Sequence, residues 1–293
     1  MTALLLLPAF SLLLVVFVAP LVRYAWLSFH ADSVVTGLIA IPNNGANWLR
    51  LAQDQRYWQD LGQTLRFAGV SVGLELILAF VIALLLDQRW RGRDVVRALA
   101  LIPWALPTTV MALGWRWIFN TPYGPVDRLT SLIGLGSLNI LGQPNLAWIA
   151  TVWADVWKTT PFVALILLAG LQTIPADLYE AVFLEGGNAN VCLRRITLPL
   201  LRPYILLALL FRLAQAFGVF DLIQILTGGG PASSTESVAL YAYWNALRFL
   251  DFGYSSTIII ASFILISLIC VFAWILLTLL IPAHSSAREV LKS

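Results

Sequence analysis

The sequence predicts an all-α, polytopic membrane protein with six transmembrane helices and both termini in the cytoplasm. Three observations predict it. The 293 residues are 60% hydrophobic and only 11% charged, against about 45–50% and about 25% in a soluble domain. Six apolar runs each supply the ~20 residues that a helix needs to cross a bilayer. The arginines gather in alternate connections between those runs, which fixes the orientation by the positive-inside bias.

The runs are roughly Leu4–Leu27, Thr64–Leu86, Ala98–Phe119, Leu146–Leu171, Tyr204–Leu226 and Ser255–Ile281. Residues 1–63 are then a first helix with its outer loop, 64–281 a five-helix core, and 282–293 a cytoplasmic tail. The first run lacks a positive leading segment and outlasts the about 7–15 apolar residues of a signal peptide, so it reads as a retained span. Pro8 and Pro20 interrupt it, and Pro103 and Pro107 interrupt the third; membrane helices tolerate proline where neighbours satisfy the freed carbonyls. After the second run, DQRWRGRDVVR carries Arg89, Arg91, Arg93 and Arg97, and the connection after the fourth carries Arg194, Arg195 and Arg202. The tail adds Arg288 and Lys292. The loops on the other side hold Arg128 and Arg248, and Arg50 and Arg56 are balanced there by acids. The segment 172–203 is thereby placed in the cytoplasm. Cys192 and Cys270 lie far apart in sequence and form no disulfide framework.

That segment includes YEAVFLEGGNANVCLRRITLPLLRP, Tyr179–Pro203. Pro175 and Asp177 suit a helix start, the proline by its fixed φ and the acid by the dipole. Leu178, Ala181, Val182 and Glu185 recur at helical spacing, and Gly186-Gly187 ends the short helix. A further turn or two follows, and Pro199 and Pro203 mark the start of the fifth span. Such a hook fits a partner's groove, and it equally fits an amphipathic connector resting on lipid headgroups.

Glu180, Ala181, Glu185, Gly186, Ile196, Leu198, Pro199 and Pro203 resemble the EAA coupling loop of permease subunits in bacterial binding-protein-dependent ABC importers. Val182, Glu185 and Gly187 depart from the family's third alanine-like residue, its aspartate and its following alanine. Further stretches resemble sugar-type permeases: DVWKTTPFVALILLAGLQTIPADLYEA (Asp155–Ala181), FNTPYG (Phe119–Gly124), LTGGGPASSTES (Leu226–Ser237) and DFGYSS (Asp251–Ser256). The resemblance covers roughly residues 60–281. It implies a multi-pass subunit of the bacterial cytoplasmic membrane that forms half of a path for a sugar, oligosaccharide or polyol. It also implies the partners: a second homologous permease, two cytoplasmic ATPases and an extracytoplasmic solute-binding protein, with the bilayer around them and no nucleic acid. Glu180, Ala181, Glu185, Gly186 and Pro199 would couple to the ATPase, and Gly228, Gly229, Gly230 and Pro231 would lie under the docked binding protein. ATP and magnesium would sit on the ATPases, with no cofactor bound by this chain.

The residues agree with a non-enzyme. GxxxxGK[ST] is absent, Pro231 after Gly230 forbids a phosphate loop there, and HExxH does not occur.

A charge at the bilayer centre costs about 2.5–3.5 kcal/mol, so each one calls for a partner or a function. Glu75, Lys158 and Gln215 fall at similar, midplane depths at about 1.5 Å per residue. Asp155, Gln215 and Asp221 are expected to face a polar path. Lys158 is expected in a structural ion pair with Asp155 or Glu75, with the path as the alternative. Arg212, one turn from Gln215, is expected to snorkel or to answer Asp221. Trp153 and Trp157, one turn apart, suit a sugar face and equally suit belt or bundle packing; Trp148 is read as interfacial belt. A gradient-driven secondary transporter or channel, with Glu75 or Asp155 carrying the coupling ion, is the rival reading. The absence of a visible inverted repeat weakens it.

Overall fold

The computed structural model describes residues 2–88, 90–134 and 136–280. Arg89 and the expected tail, 282–293, lie outside them. Helices α1 (Thr2–Leu13) and α2 (Ala19–Leu27) are joined by a π-helical turn, Leu14–Val18, into one rod. A two-stranded antiparallel ribbon follows, β1 (His30–Ala31) with β2 (Ile41–Pro42). Then come α3 (Ala46–Gln53), α4 (Gln55–Asp87), α5 (Arg93–Ala100), α6 (Ile102–Ala105), α7 (Thr108–Ile118) and α8 (Pro125–Leu132). The second half holds α9 (Pro144–Leu171), α10 (Ala176–Leu184), α11 (Ala189–Cys192), α12 (Leu198–Phe217), α13 (Asp221–Leu226), α14 (Val238–Tyr243) and α15 (Phe252–Leu280).

Among the described residues, five helical stretches are long and apolar enough to cross a membrane. They are Pro8–Leu27, Gln55–Asp87, Pro144–Leu171, Ala189–Phe217 and Phe252–Leu280. The expected third span is broken. Its two arms, Arg93–Ala105 and Thr108–Ile118, meet at 89°. Pro107 is the cause: it has no N–H to give, and it forces Leu106 out of the helical region, to ψ 136°.

Three other expectations are corrected. The fifth helix starts ten residues before Pro199: α11 runs through a π-helical turn, Leu193–Thr197, directly into α12. Pro199 sits in the first turn of α12, where its missing N–H does no harm, so it does not begin the span. At the other end α12 stops at Phe217 instead of Leu226. Residues 218–220 break it, and the carbonyl of Val219 accepts from Ser237 Oγ at 2.7 Å. Asp221 therefore opens a separate short helix. The boundary drawn at residue 63 cuts α4, which begins at Gln55.

Helices α4, α9 and α12 form the centre. Ala79, Ala83, Val163, Ala164, Leu167, Leu201 and Ala208 pack as one apolar cluster, and Phe67, Val72, Val152, Val156 and Ala216 belong to a second. Small side chains let these helices approach closely. Between the two clusters, on the same three helices, lie Glu75, Asp155 and Arg212. Trp148 belongs to the second cluster, covered by the Arg66 guanidinium 4.1 Å from its ring, rather than to an interfacial belt.

Asp54 ties the far end together. It caps α4 by accepting from the N–H groups of Arg56 (3.0 Å) and Tyr57 (3.3 Å). It also accepts from Tyr241 Oη at 2.7 Å and from Tyr254 Oη, which joins α14 and α15 to the same point. Partial burial pushes its carboxyl up, but the two hydroxyls and two N–H groups outweigh that and hold it below the usual 3.8. A carboxyl depressed in the folded state stabilises above its unfolded pKa, and the gain is lost as pH falls through the folded one. Asp54→Asn is therefore expected to lower the unfolding temperature of the detergent-solubilised protein at pH 7. The gap to the parent should close as pH falls below 3.8.

Candidate functional site

The two helix breaks open a polar cavity beside the central helices. It has a volume of about 250 Å³ and takes Trp104 and Thr108 from the first break and Phe220 and Asp221 from the second. Asp155, Lys158 and Thr159 reach it from α9, and Arg212 and Gln215 from α12. Four expected path residues, Asp155, Lys158, Gln215 and Asp221, are thus brought together.

Arg212 holds the base of this cavity. It is 2% exposed and Glu75 is 0% exposed. Its Nε and Nη2 donate to both oxygens of Glu75, the latter at 2.9 Å, and Nη2 also donates to Asp155 Oδ2 at 3.0 Å. Nη1 donates to Gln215 Oε1 at 2.9 Å. One planar fork therefore joins α4, α9 and α12, a geometry that lysine cannot reproduce. The sequence expectation that Arg212 snorkels, or answers Asp221, is corrected. A buried cation in the middle of an apolar helix was the available signal, since two acids stood at matching depth.

Lys158 is corrected as well. Among the described residues it has no ion pair within 4 Å. Its Nζ donates at 2.8 Å to the carbonyl of Leu106, the residue at the break before Pro107. It satisfies backbone that the proline disrupts, and it lines the cavity while doing so.

Trp153 and Trp157 do not join this site. They lie on the other face of α9, 59% and 38% exposed, along an apolar groove with Leu78, Ile82 and Pro103. Helical geometry requires this, because Asp155 stands two residues from each. Two aromatic rings line the polar cavity: Phe220, and Trp104, which stacks on Phe162 at 4.9 Å between ring centres. Sequence reasoning passed over Trp104 because it sits among prolines rather than on a regular helical stripe.

The hook is α10 with its glycine end. Pro175 caps it from outside the helix, in extended conformation, instead of occupying its first turn. None of its residues is buried; Glu180 and Ala181 are exposed, and Leu184 is 89% exposed. Gly186 closes it at φ +81°, a left-handed angle. The N–H of Gly187 then donates to the Val182 carbonyl at 2.8 Å, and a Cβ at 187 would stand 2.4 Å from Val182 Cγ1. The same Cβ would stand 2.8 Å from the Val182 carbonyl oxygen, so the backbone of this turn itself calls for glycine at 187. Tyr179 Oη meets Thr197 Oγ1 at 3.1 Å and ties the hook to the base of α12.

At the opposite end of α4, Gly228 and Gly229 adopt φ +63° and +86°, left-handed angles that glycine takes without strain. Thr235 seals this turn by donating to the Gly230 carbonyl at 2.9 Å. The next residue, Glu236, is 1% exposed and takes three bonds from Arg56 at 2.9–3.2 Å. This fork, which the sequence reading treated only as charge balance, anchors the loop to α4.

Removing one partner of a buried pair costs about 3–5 kcal/mol, because the other charge is left uncompensated. Arg212→Met is expected to destabilise the protein by about that much. Thermal unfolding in detergent checks it, and adding Glu75→Gln should recover part of the loss.

The family described as "Binding-protein-dependent transport system inner membrane component" matches residues 75–285. The trehalose/maltose transport system permease protein MalF of Thermococcus litoralis is 43% identical over 264 residues, covering 90% of this chain and 88% of that protein. The sulfoquinovosyl glycerol transport system permease protein SmoG of Agrobacterium fabrum is 36% identical, over 90% and 86%. The trehalose transport system permease protein SugA of Mycobacterium tuberculosis is 35% identical, over 87% and 81%. A chain in the crystal structure of a bacterial alginate ABC transporter, in complex with an alginate pentasaccharide-bound periplasmic protein, has the same fold. It superposes with a TM-score of 0.79 at 22% identity, covering 93% of this chain and 92% of that one. The protein belongs to the family of inner membrane components of binding-protein-dependent transport systems, and it is a multi-pass membrane protein.

Proposed function

We propose that this chain is the permease subunit of an ATP-driven importer for a sugar, oligosaccharide or polyol. The observation that carries the reading is the polar cavity set among apolar helices. An aromatic face, Trp104, stands with Asp155, Lys158, Gln215 and Asp221 around it. That combination suits a solute with an apolar ring face and a rim of hydroxyls. Two cations, Arg212 and Lys158, stand against three carboxylates, Glu75, Asp155 and Asp221, which disfavours a strongly anionic solute. Relatives named for trehalose and maltose make these disaccharides the first to test.

The hook supports coupling to a separate ATPase. It projects from the end that carries the arginine-rich connections, which we place in the cytoplasm with both termini. Leu178, Ala181, Phe183 and Leu184 are exposed on it, and among the described residues nothing covers them. The sealed loop, residues 227–237, lies at the far end, where a solute-binding protein would dock. A second, similar permease would supply the other wall of the path, and two ATPases would drive it between inward- and outward-facing states.

Glu75 and Asp155, the acids that a gradient-driven transporter would need to load and unload, are both bound to Arg212. That engagement favours the ATP-driven reading. Uptake of radiolabelled trehalose and maltose should be lost when the partner ATPase is disabled and persist when the proton gradient is collapsed. Uptake that follows the gradient and ignores the ATPase would overturn the reading.

A further inference from the structure

Arg212 has more donors than its two carboxylates use, and the remaining ones decide how the cavity wall presents itself. A guanidinium has five donors and no acceptor. Gln215 must therefore turn its oxygen toward Arg212, and it does, at 2.9 Å from Nη1. Its amide nitrogen is left on the cavity side, where the residue is exposed and lines the wall. Asp155 is held in the same way: Oδ2 takes Nη2 of Arg212, and the residue forms part of the cavity lining. Both oxygens of Glu75 are taken up by the guanidinium, so the fork is held from behind.

We propose that Arg212 is a positioning residue for solute recognition. It holds Gln215 and Asp155 so that a hydrogen-bond donor and an acceptor stand side by side on the cavity wall, matched to neighbouring hydroxyls of a sugar. Each sugar hydroxyl can give one hydrogen bond and accept others, so an ordered donor–acceptor pair reads two adjacent hydroxyls. An amide free to flip would read them indiscriminately. The arrangement rests on the sugar-transport reading above, and it names the group within the solute that this wall would recognise. A fixed orientation also removes the cost of ordering the side chain when the solute arrives.

The test uses the complete transporter in proteoliposomes, with trehalose as the probe, and reads sugar moved per ATP hydrolysed. Uptake by the unmodified complex reports on the transport reading. The ratios of the variants to it report on Arg212. Gln215→Glu keeps an oxygen for Arg212 but turns the donor into an acceptor. Loss of a hydrogen bond in such a setting is worth about tenfold or more. Gln215→Glu and Arg212→Lys are each expected to lower the ratio about tenfold. Because Arg212 acts through its neighbours, adding Arg212→Lys to Gln215→Glu should lower it by less than about twofold more. Glu75→Gln, which leaves Arg212 in place but loosens its fork, provides the same comparison if Arg212→Lys fails to assemble. A merely structural arginine would give losses that multiply in the double variant. That result, or an unchanged ratio in Gln215→Glu, would overturn the proposal.

Discussion

A guanidinium sealed between apolar layers must be answered completely or the helices around it cannot close. Arg212 is answered by Glu75 from α4, by Asp155 from α9 and by Gln215 on its own helix. In a low-dielectric interior an unpaired charge costs several kcal/mol, so this set of bonds fixes the rotation and the depth of all three helices together. The apolar clusters above and below it are adaptable by comparison. Small residues there permit close approach, but they do not select one register over another.

The cavity follows from that layer and from two interruptions in the chain. Pro107 turns one helix through 89°, and residues 218–220 end another early. Backbone freed at such breaks is tolerated at membrane depth only where protein or a water-filled cavity meets it. Here Lys158 meets the Leu106 carbonyl and Ser237 meets that of Val219. The groups that repair the backbone and the groups that line the cavity are partly the same, so the cavity and the fold cannot be altered independently.

The apolar runs were legible because length and composition alone decide whether a helix can span. Asp155, Gln215 and Asp221 were legible as path candidates, and Glu75 and Lys158 as members of an ion pair or of the path, because a polar group in such a run calls for a partner or a function. Which partner each would take was not legible. Lys158 lies one turn from Asp155, and sequence spacing favoured their pairing, yet the freed Leu106 carbonyl competes for the ammonium and wins. Trp153 and Trp157 were drawn toward the site by their neighbour Asp155, although helix geometry puts them on another face. Trp104 was missed because its position depends on the direction of the chain after a proline break, which sequence does not state. The hook was legible down to its glycine end. The need for glycine at 187 was not, since it rests on a close approach to the Val182 carbonyl across the helix terminus.

The two ends of the molecule differ in character, and that difference underlies the account of coupling. Asp54 and the Arg56–Glu236 fork hold the far loops rigidly to α4. The hook has no buried residue, and Tyr179 ties it to Thr197 at the base of α12. A partner acting on the hook would move α12, and with it Arg212. The most direct measurement is a cross-link from Ala181→Cys, in a background without Cys192 and Cys270, to cysteines in the surface groove of the candidate ATPase. The account predicts efficient cross-linking that changes with bound nucleotide. Correct membrane insertion with no cross-link to any ATPase would contradict it.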